Sequence, residues 1–337
     1  MQYAFLIKPH ANARYALSME KLTLIEMQCL LYAIAPEASV THEKLAGTQF
    51  IVIDTQPIDE REWRILSGHS GVCFAALKDG DRLKPLQLQR AAYTDADLPQ
   101  LLKYKGKTNA DFTWMMLHCA KAASAFALDE GPLTVMDPLC GRGTTLFCAL
   151  QEGGNAVGVE MDKKAVHEAD TYFRRYLQYH RYKHKRETFC ATLPGGGHAD
   201  EIRYRLADTP EAFKSEDTRS LRLFRGDAAQ SDRMIGADGC HLIVSDLPYG
   251  VQHAARDKRG IAPMETLMEG CFPAFRRALK AGGAAALSFN TYTLKRNAVI
   301  QAMEHAGLKP LTTPPFNDFS HWVEQAVNRD MVIAVKA

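Results

Sequence analysis

The stretch DPLCGRGTT at residues 137–145 decides the fold, because it joins a short apolar run to a helical segment through a glycine turn. Leu133–Met136, just before it, has the composition of a buried strand, and the residues up to Leu150 after it have that of a helix. Gly141 and Gly143 allow the backbone to turn sharply and to approach a ligand closely. The sequence therefore predicts a strand, a ligand-binding loop and a helix.

Further apolar runs repeat this pattern downstream. They lie at residues 156–159, 221–224, 241–244, 284–289 and 330–335, with helical segments at 264–279 and 294–305. Strands that alternate with helices are typical of a parallel α/β sheet covered by helices on both faces. Ligands of such sheets bind beyond the carboxyl ends of the strands.

The chain is predicted to have two domains. Residues 1–100 read as a small α+β N-terminal domain, with short strands at 3–7, 50–53 and 71–77 and a helix at 19–33. Residues 101–337 form the α/β domain. The charged, glycine-containing segment around 187–220 reads as an insertion between the second and third strands of the α/β domain. We expect this insertion to be mobile in part and to help grip a substrate.

Composition excludes several classes of protein. Hydrophobic residues make up 46% and charged residues 24% of the 337 residues, as in an ordinary soluble domain. No run approaches the roughly 20 apolar residues of a membrane span, and the first residues do not resemble a signal peptide. The eight cysteines and twelve histidines lack metal-ligand spacing. We therefore expect no membrane association and no metal site, and a cytoplasmic location with reduced thiols.

Acidic residues follow three of the predicted strands. Asp137 would repel a phosphate but suits an amino group or a sulfonium, and Leu146 replaces the third glycine that a dinucleotide-binding loop would need. Glu160 could accept hydrogen bonds from two ribose hydroxyls, and Asp227 could accept one from an adenine amino group. The set favours an adenosine that carries a cationic amino acid. The alternative is a glycine turn that only reverses the chain.

A second motif, SDLPYG at residues 245–250, follows the fourth strand. The exocyclic amine of a nucleobase is a poor nucleophile because its lone pair is delocalised into the ring. The Asp246 carboxylate and the Leu247 carbonyl, which Pro248 holds rigid, could accept both N–H bonds and free that lone pair. Tyr249 offers an aromatic face on which a base can stack. The alternative is an ordinary proline turn.

These two motifs carry a resemblance. DPLCGRGT at 137–144 is similar to the D-P-x-C-G-x-G-T motif of class I amino-methyltransferases, and DLPY at 246–249 to their [DNS]-[PL]-P-[YF] motif. The Leu-Pro-Tyr-Gly variant and KGKTN at 105–109 resemble the THUMP-associated tRNA guanine-N2 methyltransferases. Over residues 100–337 the resemblance implies a Rossmann-like class I methyltransferase sheet, parallel with an antiparallel C-terminal strand. It also implies S-adenosylmethionine (SAM) as methyl donor and guanine N2 of tRNA as target.

The motifs and the resemblance together predict the site residues. Catalysis is expected from Asp246, Leu247, Pro248 and Tyr249. SAM is expected to contact Thr108, Asn109, Asp137, Leu139, Cys140, Gly141, Gly143, Thr144, Thr145, Glu160, Met161, Asp227 and Ala228. The roughly 100 residues before the α/β domain suffice for the small ferredoxin-like domain of that family but not for a THUMP domain as well. With tRNA as the implied target, this N-terminal domain could help to dock RNA.

Residues 172–186 combine six Lys or Arg with aromatic residues and contain no acid. At helical spacing Tyr172, Tyr176 and Tyr179 share one face. Phosphate contacts of an RNA partner are predicted for Arg175, Arg181, Lys183, Lys185 and Arg186. The alternative is a helix whose tyrosines pack on the sheet while the charges are solvated.

Other functions remain open at this point. A DNA adenine-N6 or cytosine-N4 methyltransferase would use the same chemistry, but no second large region is present to serve as a target-recognition domain. A SAM-binding protein without catalysis, acting as an RNA-interaction module, is the alternative from another class. The intact DLPY motif argues against it.

Overall fold

The computed structural model describes residues 1–10, 13–104, 107–248, 256–257, 260–261 and 264–337. Two large sheets organise this part of the chain. The division predicted near residue 100 lies in the segment that joins them.

The first sheet is antiparallel and has the strand order β2-β3-β1-β4-β5. Its elements are β1 (Gln2–Ile7), α1 (Ala13–Ile34), β2 (Ser39–Leu45), β3 (Thr48–Asp54), α2 (Glu60–Ser67), β4 (Val72–Asp79) and β5 (Arg82–Leu86). Buried apolar side chains of β1, β3 and β4 pack against α1 in one cluster that includes Phe5, Met27 and Ile51. The sequence predicted β1, β3, β4 and α1, and missed β2, α2 and β5.

The second sheet contains the strands predicted from the apolar runs. Its elements, in chain order, are α3 (Leu98–Leu101), α4 (Ala110–Ala123), β6 (Thr134–Asp137), α5 (Thr144–Gln151), β7 (Asn155–Glu160), α6 (Lys163–Tyr179), β8 (Lys183–Thr192), β9 (His198–Ala207), α7 (Pro210–Lys214), β10 (Arg219–Arg225), α8 (Ser231–Ile235), β11 (Cys240–Asp246), β12 (Arg256–Asp257), β13 (Gly260–Ile261), α9 (Met264–Ala278), β14 (Leu279–Asn290), α10 (Arg296–His305), β15 (Lys309–Pro310), β16 (His321–Glu324) and β17 (Val327–Val335). Strands β12 and β13 pair only with each other.

Strand order in the large sheet is β15-β17-β14-β11-β6-β7-β10-β9-β8. Neighbours from β14 to β10 are parallel, and β17 is antiparallel to β14. The chain thus starts at β6 in the centre, moves to one side through β7 and β10, and returns to the other through β11 and β14. This confirms the predicted Rossmann-like sheet with an antiparallel C-terminal strand.

The sheet is buried on both faces. One apolar cluster joins α4, α5 and α6 to the first face, and a second joins α9 and α10 to the opposite face. Ala284–Ala286 of β14 are fully buried because small side chains fit between two helical layers. None of the described helices is both long and apolar enough to cross a bilayer.

The segment after β7 is divided between a helix and a strand. Helix α6 ends at Tyr179, and Lys183, Lys185 and Arg186 lie on β8. The segment that the sequence marks as an insertion between the second and third strands contains a hairpin, since β8 pairs along its whole length with β9, which pairs with β10. The hairpin thereby extends the edge of the sheet by two strands.

Candidate active site

The loop between β6 and α5 has the geometry that its glycines predict. Gly141 has φ 50° and Gly143 has φ 90°, and both values favour glycine. Gly143 is the N-cap of α5, so the free N–H groups of the first helical turn point away from the sheet. A Cβ added at Gly141 would meet nothing within 4 Å, so the loop borders open space at this point.

Asp137 ends β6 and is buried. Its Oδ1 accepts hydrogen bonds from the Ser245 hydroxyl at 2.7 Å and from the Leu139 amide at 3.1 Å. Burial raises the pKa of Asp137 to about 6, although the hydroxyls of Ser245 and Thr145 oppose the shift. A nearby cation would favour the ionised form, so the residue suits an amino group.

Glu160 ends β7, and Asp227 follows the end of β10 by two residues. The carboxylate of Glu160 accepts from the Gly141 amide at 2.9 Å and from the Asp162 amide at 2.7 Å. Asp227 is exposed and accepts from the Ala229 amide at 2.9 Å through one oxygen. Each carboxylate oxygen has two lone pairs, so both residues keep acceptor capacity for a ligand.

Close packing fixes the loop against the sheet. A Cβ added at Gly158 of β7 would lie 2.6 Å from Leu146 Cδ1 and 2.7 Å from Cys140 Sγ. Cys140 is buried, and burial raises the pKa of its thiol well above the usual value. It is therefore a small packing residue within the loop, as the sequence suggested.

Asp246 ends β11 and is held by side chains from three other parts of the chain. Thr108 donates its hydroxyl to Asp246 Oδ2 at 2.6 Å, and the Ser288 hydroxyl donates to Oδ1. Arg329 of β17 lies 3.7 Å from Oδ2. The carboxylate is thus fixed in one orientation at the carboxyl edge of the sheet. Strand β11 is the neighbour of β6, and Asp246 lies two residues beyond the position that is level with Asp137.

The neighbours of Arg329 form a buried layer beneath Asp246. The guanidinium lies 4.6 Å from the centroid of the Phe112 ring, which also contacts the His321 ring at 5.1 Å. Burial lowers the pKa of His321 to about 4, so this ring is neutral at pH 7. Sequence reasoning missed Ser288, Arg329 and His321, because no motif surrounds them.

A second group of residues that sequence reasoning missed lies over the loop between β6 and α5. The guanidinium of Arg142 lies 4.4 Å from the centroid of the Tyr104 ring and pairs with Glu168 of α6. The Tyr104 hydroxyl is 3.3 Å from Thr144 Oγ1. These contacts tie Arg142 to the segment before α4 and to α6.

The structure places the remaining predicted site residues around the same edge or outside the described part of the chain. Thr108 contacts Asp246, and Asn109 caps α4 by accepting from the Asp111 amide. Met161 is 56% exposed, whereas Ala228 is buried. Leu247 is buried, and its amide donates to the Ser288 carbonyl at 2.8 Å. The predicted catalytic Tyr249 lies outside the described residues.

The predicted basic stretch lies away from these acids. Helix α6 starts beside Glu160 and runs about 24 Å to Tyr179, so Arg181 and Lys183 lie at the opposite edge of the sheet. Arg186 makes a bidentate ion pair with Asp170, both bonds 2.9 Å. Tyr176 is buried, whereas Tyr179 is 83% exposed. Arg186 is thus already paired with an acid, and its phosphate contact stays a prediction; Tyr176 and Tyr179 differ in burial and do not share one packed face.

The fold brings together one group that spacing along the chain did not reveal. Asp95, Asp97 and His180 each offer a ligand atom, and these atoms lie within 4.8 Å of one another. These residue types can act as metal ligands, although the Asp97 carboxylate already accepts a hydrogen bond from the Tyr176 hydroxyl at 2.6 Å. The group lies at the C-terminal end of α6, far from Asp137 and Asp246.

Comparisons with known proteins return methyltransferases among solved structures. A TehB-like SAM-dependent methyltransferase from Corynebacterium glutamicum is 15% identical, with a TM-score of 0.35 over 63% of this chain and 84% of that one. The T. thermophilus 16S rRNA N2 G1207 methyltransferase is 11% identical, with a TM-score of 0.39 over 89% of this chain and 51% of that one. Precorrin-6y C5,15-methyltransferase from Geobacter metallireducens is 10% identical, with a TM-score of 0.40 over 73% and 98%.

No protein-family model and no curated protein matches the chain. The fold assignment depends on the strand order and strand directions described above.

Proposed function

We propose that the chain is a SAM-dependent methyltransferase that modifies an exocyclic amine of a nucleobase, with guanine N2 of tRNA as the first candidate. The observation that carries the proposal is the position of four carboxylates. Asp137 ends β6, Glu160 ends β7 and Asp246 ends β11, while Asp227 follows β10. All four carboxylates therefore lie at the carboxyl edge of the sheet.

The residues at this edge fit SAM. Asp137 is a buried acceptor for the amino group of the methionyl part, and the open space beside Gly141 admits a ligand close to the backbone. Glu160 would take the ribose hydroxyls, and Asp227 the adenine amino group. Leu139, Cys140, Gly143, Thr144, Thr145, Met161 and Ala228 belong to the same loops. Bound SAM would supply an electrophilic methyl group on a sulfonium.

Asp246 would position the accepting amine. Its carboxylate is fixed by Thr108 and Ser288, so it would accept one N–H bond without reorganising during the reaction. A second acceptor would be the Leu247 carbonyl, which precedes the rigid Pro248. The amine nitrogen would attack the methyl carbon, the carbon–sulfur bond would break with its electron pair on sulfur, and the amine would release a proton to solvent.

The test uses purified protein, radiolabelled SAM, and total tRNA, rRNA and genomic DNA as separate acceptors, followed by nucleoside analysis. We expect label in tRNA as N2-methylguanosine. Asp246→Asn should abolish the transfer while SAM still binds. Asp238→Asn is the matched control, because this carboxylate lies before the opposite end of β11 and pairs with Lys336.

The other outcomes separate the alternatives. Label in DNA would support an adenine-N6 or cytosine-N4 methyltransferase and overturn the RNA substrate. SAM binding without label in any acceptor would support a SAM-binding RNA-interaction protein without catalysis. Equal transfer by wild type and Asp246→Asn would refute the role of this carboxylate.

A further inference from the structure

The hairpin β8–β9 carries cations on one face of the sheet. Lys185 and Glu187 of β8 lie opposite Arg205 and Arg203 of β9, and Arg203 lies opposite Arg222 of β10. Side chains alternate between the faces of a strand, so these residues project on the same side. We define the basic face as Lys183, Lys185, Glu187, Phe189, Glu201, Arg203, Arg205 and Arg222.

The opposite face of the hairpin is occupied. Tyr204 and Leu206 pack against α6, and the Tyr204 hydroxyl donates to Asp170 Oδ1 at 2.6 Å. Arg186 is held by the same carboxylate. The cations of β8 that alternate with it are therefore directed away from α6.

Charge on the basic face is unbalanced. It has five cations and two carboxylates. Glu201 is 3% exposed and accepts from both Arg203, at 2.9 Å, and Arg222, at 2.7 Å. Lys185 pairs with Glu187 at 2.8 Å but is 59% exposed. The defined residues therefore carry three more positive than negative charges, which suits a polyanion.

Aromatic rings lie under two of the arginines. The Arg203 guanidinium lies 4.8 Å from the centroid of Phe189, which is 41% exposed, and that of Arg205 lies 4.5 Å from the centroid of Phe213 of α7. Guanidinium planes and phenyl rings both stack on unpaired bases. Cations and stacking surfaces together are the features that single-stranded nucleic acid recognises.

The basic face leads toward the candidate active site. Strand β8 runs parallel to β10, because both are antiparallel to β9, so Lys183 lies at the amino edge and Phe189 nearer the carboxyl edge. The six steps between them span about 20 Å. Asp227 follows β10 at that carboxyl edge.

We propose that the basic face is a docking surface for an unpaired RNA segment of the substrate, whose backbone it would lead toward the site of methyl transfer. This deepens the proposed function and rests on it. It assigns the docking role to Lys183 and Lys185 together with Arg203, Arg205 and Arg222, and not to Arg175 or Arg186.

The test measures binding of a fluorescein-labelled single-stranded RNA of about 12 nucleotides by anisotropy, over a series of salt concentrations. The double variant Lys185→Glu/Arg205→Glu should raise Kd at least about tenfold, and the slope of log K against log salt should fall by about 1.4, for two lost phosphate contacts. Phe189→Leu should weaken binding roughly fivefold while leaving the salt slope unchanged.

The matched control is Arg174→Glu/Arg175→Glu, which makes the same charge change with two exposed cations of α6. It should change Kd by less than about threefold. Equal loss in both double variants, or no loss in either, would overturn the docking surface. Thermal unfolding and SAM binding check that each variant is folded.

Transfer assays separate this inference from the proposed function. If methyl transfer into RNA is as efficient in Lys185→Glu/Arg205→Glu as in wild type, the docking role of the basic face is refuted, whereas the proposed methyltransferase function stands. If only this variant loses RNA binding but no acceptor is methylated by wild type, the docking surface stands and the proposed function fails.

Discussion

A buried ion pair joins the N-terminal sheet to the α/β domain, and its removal should cost about 3 kcal/mol of stability. Glu26 of α1 is 1% exposed and lies 2.9 Å from His118 Nδ1 of α4. It also accepts from the amide and hydroxyl of Ser70, and lies 3.2 Å from His69. His118 Nε2 lies 3.5 Å from Glu152.

The charges of this cluster follow from its contacts. Burial alone would raise the pKa of Glu26, but His69, His118 and Ser70 lower it to about 2. Burial alone would lower the pKa of His118, but Glu152 and Glu26 raise it to about 9. Burial lowers the pKa of His69, while the charge of Glu26 and the Thr23 carbonyl oppose this shift. The cluster thus holds Glu26 as an anion and His118 as a cation.

The pH dependence follows from these shifts. The folded pKa of His118, about 9, exceeds its unfolded value of 6.5, so its contribution is complete below pH 6.5 and is lost as pH rises through about 9. Glu26 contributes above its unfolded value of 4.5, and this contribution is lost as pH falls toward 2. The two shifts describe one interaction, and each corresponds to about 3 kcal/mol.

The perturbation is Glu26→Gln, which keeps the shape but removes the negative charge. The free energy of unfolding at pH 6 should fall by about 3 kcal/mol, within the range for removing one member of a buried pair. The variant should also lose part of the decline that wild type shows between pH 6.5 and 9; the rest should remain, because Glu152 still raises the pKa of His118. Urea titrations at pH 6, 7.5 and 9 measure both effects.

Glu37→Gln is the control, because this carboxylate is exposed just after α1. It should change the free energy of unfolding by less than about 0.5 kcal/mol. A Glu26→Gln variant as stable as wild type at pH 6, together with a flat wild-type profile up to pH 9, would refute the assignment of charges.

Three further predictions concern the candidate site. SAM affinity, measured by calorimetry, should fall about tenfold per pH unit below pH 6, because Asp137 becomes protonated there, and Asp137→Asn should remove this dependence. Gly158→Ala should lower the free energy of unfolding by about 1–3 kcal/mol, because the added Cβ would overlap side chains of the loop; an unchanged urea midpoint would contradict the close packing. Arg329→Met should lower kcat roughly tenfold and leave SAM affinity unchanged, and equal loss of both would indicate a general structural role instead.

Much of the large sheet could be predicted because its central strands are apolar. The runs at β6, β7, β10, β11 and β14 are buried on both faces, so composition alone identifies them. Strands at sheet edges lack this signal. The residues of β2 alternate between exposed and half-buried, and β8 begins Lys-His-Lys-Arg, so neither reads as a strand without its partner.

The acidic residues of the candidate site that follow strand ends could be predicted. The residues that reach the site from distant segments of the chain were missed. Asp137, Glu160, Asp227 and Asp246 could be placed at one edge because parallel strands end together. Their partners could not be placed in this way. Thr108 is 138 positions from Asp246, and the contact depends on where α4 begins.

Helix α4 links the N-terminal domain to the Asp246 carboxylate. Lys8, which follows β1, pairs with Asp111 in the first turn of α4 at 2.9 Å, and Glu26 pairs with His118 one and a half to two turns later. Both contacts come from the N-terminal domain and hold the helix that presents Thr108 to Asp246. A change that loosens the ion pairs should therefore alter the position of the Asp246 carboxylate through α4. The N-terminal domain thus supports the orientation of Asp246 as well as any contact it makes with a substrate.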